Sequence, residues 1–446
     1  MKSLFSWLVL ILSIALLVSG CSSSDDGESS ASTTSDTGTS TTSLASTVIM
    51  ELSASLSSSS NSRQARVSSR STSKTLDQIS LTSAQITLVV DAATAAVAAA
   101  SLDSSEDLIQ IMPKIIEGTQ GKLATVGLSN SSETIKVINV IGNSLVKSIS
   151  GRSDKLPSAS AESGSTVTET VLSKITSTSV ANLDEAGLSS ADIGTASSEL
   201  VETVVGSLGS GGISATEIGG ALEKITAGAV DSLDQITGFS VSSLGDTIDN
   251  ITSGATSALG DITVTGYTSD NLSTMVAKVT SGATSALGKI VMDGYTSADL
   301  TGMMEKVTAG ATGALGNISM ADYDATDLSG MMEKVTAGAT GALGNISMTG
   351  YSSDNLSSMV EKVTAGATGA MGNITGMSTY NASYLTGMME KVTSGATGAL
   401  GNISMTDYDA SDLSGMMENI TAGATGALGN ISMTGYSSDN LSSMVE

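Results

Sequence analysis

A phrase of about 28 residues recurs along the second half of the chain, and it limits what the chain can fold into. Each copy opens with an apolar or aromatic residue before a short polar stretch, as in GYTSADL and DYDATDL. This marker residue is Leu188, Ile213, Phe239, Tyr267, Tyr295, Tyr323, Tyr351, Tyr380, Tyr408 or Tyr436. The spacing settles at 28 residues with a single 29. A fixed period of this length is typical of a solenoid or another stacked array.

The opening of each copy has the chemistry of a helix start. Thr296 can cap the first turn, and Asp299, three residues later, can reach back to form a capping box. Tyr295 and Leu300 flank the cap and are spaced as a hydrophobic staple. The same roles fall in the next two copies on Tyr323, Asp324, Asp327, Leu328, Tyr351, Ser352 and Leu356. The phrase therefore predicts a helix start and not a catalytic motif.

An apolar face at helical spacing follows the cap. In the copy that begins at Tyr295, this face comprises Leu300, Met303, Met304, Val307, Ala311, Ala314 and Leu315. Four glycines interrupt the helix, at 302, 310, 313 and 316, and each weakens it by about 1 kcal/mol relative to Ala. We expect the stretch AGATGALG to present a nearly side-chain-free surface to a neighbour. The alternative is that the helix breaks near Gly310 into two short helices.

The length of the repeat permits two ways of stacking. A helix of 18 residues is about 27 Å long, and ten further residues can extend about 33 Å and return the chain for a parallel start. Up-and-down stacking needs less reach. Tyr323–Gly350 and Tyr408–Gly435 differ at three positions and lie 85 residues apart, a three-unit duplication that favours equivalent units. We expect a mainly α-helical solenoid, either nearly all-α or α/β, with parallel helices and short extended returns.

The end of each unit resembles the leucine-rich repeat. In LGNISMADY, the residues Leu315, Ile318 and Met320 occupy apolar places of the pattern LxxLxLxxN, while Tyr323 stands in place of Asn. The resemblance implies a curved array.

The amino terminus directs export. MKSLFSWLVLILSIALLVSGC has a basic Lys2, an apolar run and small residues before Cys21, as a signal peptide has. The ending LVSGC resembles the bacterial lipobox, which implies cleavage before Cys21 and lipid on its thiol and new amino group. Ser22 favours the outer membrane or cell surface over the inner membrane. An ordinary secretory signal and an uncleaved anchor are the alternatives.

The remaining chain divides by composition. After the signal peptide at 1–20, residues 21–75 are rich in Ser and Thr, and we interpret them as a flexible tether. Residues 76–186 show helical spacing with degenerate repeats, and 187–446 form the array, whose last unit is truncated. We therefore expect the chain to be a fragment of a longer array.

The tether carries a basic stretch. Its members Arg63, Arg66, Arg70 and Lys74 recur at steps of three and four residues. On a helix they would form one face able to contact lipid headgroups or an anionic envelope polymer. The alternative is a solvated linker.

Composition restricts the chemistry. The chain has no His and a single Cys, so neither a Ser–His–Asp triad nor a His/Cys metal site can form. A formal charge of −25 argues against nucleic acid as a partner. Two stretches place acids at EF-hand-like spacing, the candidates being Asp322, Asp324, Glu333, Asp407, Asp409 and Glu418. Asp stands where that loop needs Gly, so capping explains these acids more simply.

These features together favour a lipid-anchored bacterial envelope protein with a non-enzymatic repeat array. The array would serve as a scaffold for binding or spacing, needs no cofactor, and offers its long face to a protein partner. A carboxylate-only glycan-active enzyme and a Ca²⁺-dependent adhesin are the alternatives.

Overall fold

The structure, a computed structural model, is a helical array. It describes residues 130–150, 167–211, 215–262, 268–318, 325–346, 353–374, 382–403 and 410–430, with isolated positions between 109 and 123. In these ranges there are eleven long α-helices and no strand. They are α1 (Ser131–Ser150), α2 (Val167–Ala181), α3 (Ser190–Ser207), α4 (Ala215–Asp231), α5 (Val241–Ser257), α6 (Ser269–Leu287), α7 (Ser297–Ala314), α8 (Ala325–Ala342), α9 (Ser353–Ala370), α10 (Ala382–Ala399) and α11 (Ala410–Gly426). The predicted mainly α-helical solenoid is confirmed.

A capping box starts the two helices α6 and α7. The Thr296 hydroxyl accepts from the Asp299 backbone N–H, and the Asp299 carboxylate accepts from the Thr296 N–H at 2.9 Å. Thr268 and Asn271 form the same arrangement at α6. The start of α3 differs. There the Ser189 hydroxyl donates to the Asp192 carboxylate at 2.6 Å and makes no capping hydrogen bond to the helix backbone. Hydrogen bonds from Ser189 and Ser131 lower the pKa of Asp192.

The apolar face of each unit forms the core. In α7 its residues from Leu300 to Leu315 are at most 4% exposed. The methionine pair at 303 and 304 is buried, as are its counterparts Met331 and Met332. The helix runs unbroken through Gly310, so the chain does not split there into two helices. It tightens to a 3-10 turn only at Leu315–Asn317, and seven other helices end in a similar turn.

Each helix packs most extensively against its second neighbours in sequence and less against its immediate neighbours. The odd-numbered helices therefore form one layer and the even-numbered helices the other. Contacts between α5 and α7 show the direction within a layer. Lys306 pairs with Asp246, and Asn317 donates to Ser257 at 3.2 Å, so later positions of one helix meet later positions of the other. Helices within a layer run parallel.

Consecutive helices, by contrast, run up and down where their connections are described. The 3-10 turn after α4 ends at Gln235 and α5 begins at Val241, a step of at most about 22 Å. A parallel return would have to cover about 33 Å, the length of α4 and its turn. At the next described connection, the Tyr295 hydroxyl donates to the Leu287 carbonyl at 3.1 Å, so α7 starts where α6 ends.

The expectation that consecutive helices lie parallel is therefore wrong for these connections. The physical reason is that the 3-10 turns use up residues that a long extended return would need. Gly294, with φ of 84°, also turns the chain sharply just before α7. The stretch after Ile318, where the extended return was expected in that unit, lies outside the described residues.

The two-layer arrangement still makes the units equivalent. Interior helices of both layers have the same two kinds of neighbour. A half-turn with a step along the array carries one unit onto the next, so a three-unit duplication leaves every contact type intact. Helices α1 and α2, which precede the clearest repeats, follow the same alternation. The described helices thus form a continuous two-layer array.

Candidate functional site

The most regular feature of the array is a set of close backbone contacts between second-neighbour helices, which recurs in both layers. We call it the glycine seam, formed by Gly228, Gly254, Gly282, Gly310, Gly338, Gly366, Gly395 and Gly423. A Cβ added at Gly254 would lie 2.7 Å from the Ser198 carbonyl oxygen. One added at Gly310 would overlap the Asp249 carbonyl oxygen. Real Cβ atoms do not approach so closely, so the seam admits only glycine without a shift of the backbone.

The remaining glycines of the repeat are different. A Cβ at Gly302, Gly330 or Gly387 would meet nothing within 4 Å, and one at Gly313 would meet only the Asn373 Cβ at 3.9 Å. The predicted side-chain-free surface is therefore divided. One glycine per unit from α4 to α11 is required by a neighbouring helix, whereas Gly302, Gly330, Gly387 and Gly313 have room for a Cβ. Gly288 is a further tight position, because an added Cβ would lie 3.1 Å from the Ile346 Cα.

Buried threonines accompany the seam. Thr252, Thr280, Thr308, Thr336 and Thr364 are buried, and each donates to carbonyls of its own helix. Thr308, for example, donates to the Met304 carbonyl at 3.0 Å. A Cβ added at Gly366 would overlap its hydroxyl. The hydroxyl is thus kept satisfied within its own helix while the next helix of the layer packs against it.

A second set of threonines, at equivalent positions of successive units, has hydroxyls without such hydrogen bonds. Thr256, Thr284, Thr312, Thr340 and Thr368 are buried, and their hydroxyls make no hydrogen bond within the described residues. The equivalent Thr425 in α11 is more open and donates to the Thr421 carbonyl at 2.7 Å. From α5 to α9, burial of this position therefore coincides with an unpaired hydroxyl.

Ion pairs join the same helices at their surface. The pairs are Lys278–Glu223 at 2.6 Å, Lys306–Asp246 at 2.9 Å, Lys362–Glu305 at 2.7 Å and Lys391–Glu333 at 2.7 Å. Each links a lysine to an acid of the second unit before it. All are partly exposed, so solvent screens each of them and weakens its contribution to stability. The hydrogen bond that Lys306 donates to Asp246 raises the pKa of Lys306, and the one that Lys391 donates to Glu333 raises the pKa of Lys391.

The ladder of ion pairs is interrupted at two places. Ala277 stands where an acid would face Lys334, and Asn419 stands where a lysine would face Glu361. Asn419 instead donates to Ser357 at 2.8 Å. In sequence, Glu305 and Lys306 and their copies have the pattern of an ordinary solvated helix edge. A spacing of two repeat units between opposite charges was the signal that could have revealed the pairs.

The predicted calcium ligands are only partly described. Asp322, Asp324, Asp407 and Asp409 lie outside the described residues, and Glu333 is paired with Lys391. Glu418 is exposed on α11. Among the described residues there is no group of three or more acids that could hold a metal ion.

The other predicted residues are placed as follows. Leu328 and Leu356 are buried, and Asp327 is half-buried near the start of α8. Tyr295 packs against the core beside its cap, and burial raises its pKa. Tyr323, Tyr351, Ser352, Cys21 and the basic stretch Arg63, Arg66, Arg70 and Lys74 lie outside the described residues.

Two grooves open at one end of the helices. The first, of about 550 Å³, is lined by Glu117, Lys174, Asp184, Glu185 and Thr237 among others. The second, of about 920 Å³, is lined by Asp234, Phe239, Val241, Val291, Asp293 and Asp299 among others. We call the second the end groove. In sequence these residues lie on separate connections, so only the fold brings them together.

Hydrogen bonds join the grooves into one edge. The Asp184 carboxylate accepts from the Thr237 backbone N–H at 3.0 Å, and the Asp234 carboxylate accepts from the Val291 N–H at 2.9 Å. Thr237 lines the first groove, and Asp234 and Val291 line the second. The connections of α2, α4 and α6 are thus tied side by side.

Comparison with protein-family models and with curated proteins found no match to this chain. Of the helices in the described ranges, none combines the length and apolarity that a membrane span requires.

Proposed function

We propose that this protein is a lipid-anchored component of a bacterial envelope whose repeat array is a non-enzymatic scaffold for binding or spacing. The observation that carries the proposal is the glycine seam. One glycine per unit brings second-neighbour helices into backbone contact from α2 to α11. A chain whose equivalent residues maintain the same contact in unit after unit is specialised for length and regularity.

The two-layer packing gives the scaffold a unit of length. Helices pack about 8–10 Å apart, and two successive units together add one helix to each layer. Each 28-residue unit thus advances the array by about 4–5 Å. Removal or addition of units changes the reach of the array in small steps without creating a new kind of contact.

A deletion tests this scaffold role. Removing residues 324–380 takes out α8 and α9 and joins Tyr323 to Asn381, which keeps the repeat register. The shortened protein should fold cooperatively, and small-angle X-ray scattering should show an array shorter by about 8–10 Å. An unfolded or aggregated product would contradict the equivalence of units on which the scaffold proposal depends.

The lipid anchor has a separate test. In the native host, the wild-type protein should fractionate with membranes and incorporate labelled fatty acid, and Cys21→Ser should abolish both. Replacing the neighbouring Ser22 by Ala provides the matched control and should leave the protein in the membrane fraction. Retention of the Cys21→Ser protein in membranes would show that the anchor assignment is wrong.

One observation favours a second candidate, a carboxylate-dependent enzyme acting on glycans. The first groove brings together Glu117, Asp184 and Glu185 in a part of the chain outside the clearest repeats. Asp184, however, already accepts from the Thr237 backbone, which is a structural role. Hydrolysis of envelope polysaccharide by the purified protein, lost in Glu117→Gln or Glu185→Gln, would replace the scaffold proposal by this one.

A further inference from the structure

The end groove combines an apolar floor with an acidic rim. Phe239 and Val241 lie on its floor, and the side chain of Val291 is 83% exposed. Asp234, Asp293 and Asp299 line the same groove, and no lysine or arginine lines it within the described residues. A surface of this composition suits a ligand that carries positive charges next to a small apolar group.

Val291 distinguishes this groove from the rest of the array. At the same repeat position the sister units carry a hydroxyl side chain, on Ser319, Ser347, Ser404, Ser432, Thr263 and Thr375. An apolar side chain so fully exposed contributes nothing to the core of its own unit. The connection that carries it is ordered by the hydrogen bond from its N–H to Asp234, so the side chain is held at the groove.

The acidic character extends along the array edge. The neighbouring groove adds Glu117, Asp184 and Glu185 against the single Lys174. Burial raises the pKa of Asp231, and the positive charge of nearby Lys289 opposes that effect. Lys289 is not among the residues that line either groove. The edge therefore has an excess of negative charge that the described array does not neutralise.

The same chain contains a segment of complementary chemistry. Four of its 19 basic residues, Arg63, Arg66, Arg70 and Lys74, fall within a dozen positions, and Val67 lies among them. No acidic residue interrupts the stretch from Leu52 to Leu76. Positive charges with one small apolar side chain match the rim and floor of the end groove.

The segment can reach the groove. Lys74 precedes Ile109 by 35 residues, and Ile109 lines the first groove, which adjoins the end groove. Those residues span about 50 Å even as a helix and more than 100 Å when extended. Two helix-to-helix steps along the layer, from α2 to α6, amount to about 20 Å. Tethering also raises the effective concentration of the segment to the millimolar range.

We propose that the end groove binds the basic segment Arg63–Lys74 of the same chain, through its acidic rim and the exposed Val291. The bound segment folds the tether back along the edge of the array. Anionic lipid or an anionic polymer competes for the same arginines, so the docked and membrane-bound states of the tether exclude each other.

A titration with a labelled peptide tests the groove side of this contact. The acceptor is the full chain with Cys21→Ser. Its own Arg63, Arg66, Arg70 and Lys74 are replaced by Ser, so that they cannot compete with the peptide. The labelled peptide comprises residues 61–76. We expect saturable binding that weakens at least tenfold between 50 and 500 mM NaCl. Val291→Lys should weaken it at least tenfold, whereas Val291→Ser, which introduces the serine found in four sister units, should weaken it no more than threefold.

Hydrogen exchange tests the contact within one molecule. The Cys21→Ser chain with its basic segment intact should protect amides of residues 291–296 more than the chain with four serines, while protection of the helix interiors is equal in both. Absence of saturable peptide binding, or equal exchange at 291–296, would overturn the proposal. So would a peptide that binds vesicles containing phosphatidylglycerol while exchange in the groove is the same in both chains.

Discussion

Replacing two glycines of one helix by alanine separates the seam from ordinary helix propensity. Gly302 and Gly310 both lie in α7 and both weaken it in isolation. A Cβ at Gly302 would meet nothing within 4 Å. Gly302→Ala should therefore stabilise the array by about 0.5–1 kcal/mol, because alanine restricts the unfolded chain and favours the helix.

Gly310→Ala should have the opposite effect. Its Cβ would overlap the Asp249 carbonyl oxygen and lie 2.6 Å from the Asp249 carboxylate, where about 3.4 Å is needed. A backbone carbonyl cannot rotate away, so α5 and α7 must separate by about 1 Å. Overpacking of this kind costs about 1–3 kcal/mol, which outweighs the gain in helix propensity over most of that range.

The comparison is best made by chemical denaturation followed by circular dichroism, with native-state hydrogen exchange to locate the change. The two variants should differ by about 1–3 kcal/mol, with faster exchange in α5 and α7 for Gly310→Ala alone. Gly338→Ala, which meets the Ala277 carbonyl in the other layer, should reproduce the loss. Equal stabilisation by Gly302→Ala and Gly310→Ala would refute the seam.

Other substitutions test separate contacts. Thr312→Val removes an unpaired buried hydroxyl and should stabilise the array by about 1 kcal/mol in thermal or chemical unfolding, whereas a loss would show that the hydroxyl has a partner. Burial raises the pKa of Asp249, and Lys306 opposes that effect, so the folded protein favours the protonated carboxyl more than the unfolded chain does. The stability that the protonated carboxyl gives to the fold is therefore fully present below pH 3.8. It is lost as the pH rises through the raised pKa of the folded state. Asp249→Asn should thus stabilise at pH 7 and be neutral at pH 3, and an equal effect at both would contradict this. Ala277→Glu should create the missing pair with Lys334, and a double-mutant cycle with Lys334→Met should give about 0.2–1 kcal/mol of salt-sensitive coupling; zero coupling would contradict the register.

Much of the unit could be predicted from its sequence. Local signals specify the cap at Thr296 and Asp299, and the apolar spacing from Leu300 to Leu315 identifies the buried face, because both depend on neighbours within one helix. The 28-residue period identifies a stacked array for the same reason. The order of the layers depends on contacts between residues about 57 positions apart, which a period alone does not specify.

The glycines show why the seam could not be located in advance. Gly302, Gly310 and Gly313 have similar local surroundings in sequence, yet only Gly310 meets a neighbouring backbone. Lys306 likewise follows Glu305 as on any solvated helix edge, and its pairing with Asp246 depends on the layer. The end groove had a weak signal in Val291, which departs from the serine or threonine of its sister units. The residues around it converge only when three connections are placed side by side.

Two distances measured by spin labelling test the central claim, that second neighbours share a layer. In a Cys21→Ser background, Gly302 of α7 would be labelled together with either Ser358 of α9 or Gly330 of α8, the three being equivalent positions. The two-layer array predicts a short separation for 302 and 358, near the 8–10 Å between packed helices plus the label arms. It predicts a longer separation for 302 and 330, on different layers. The reverse order would contradict the two-layer array and support a single file of consecutive helices.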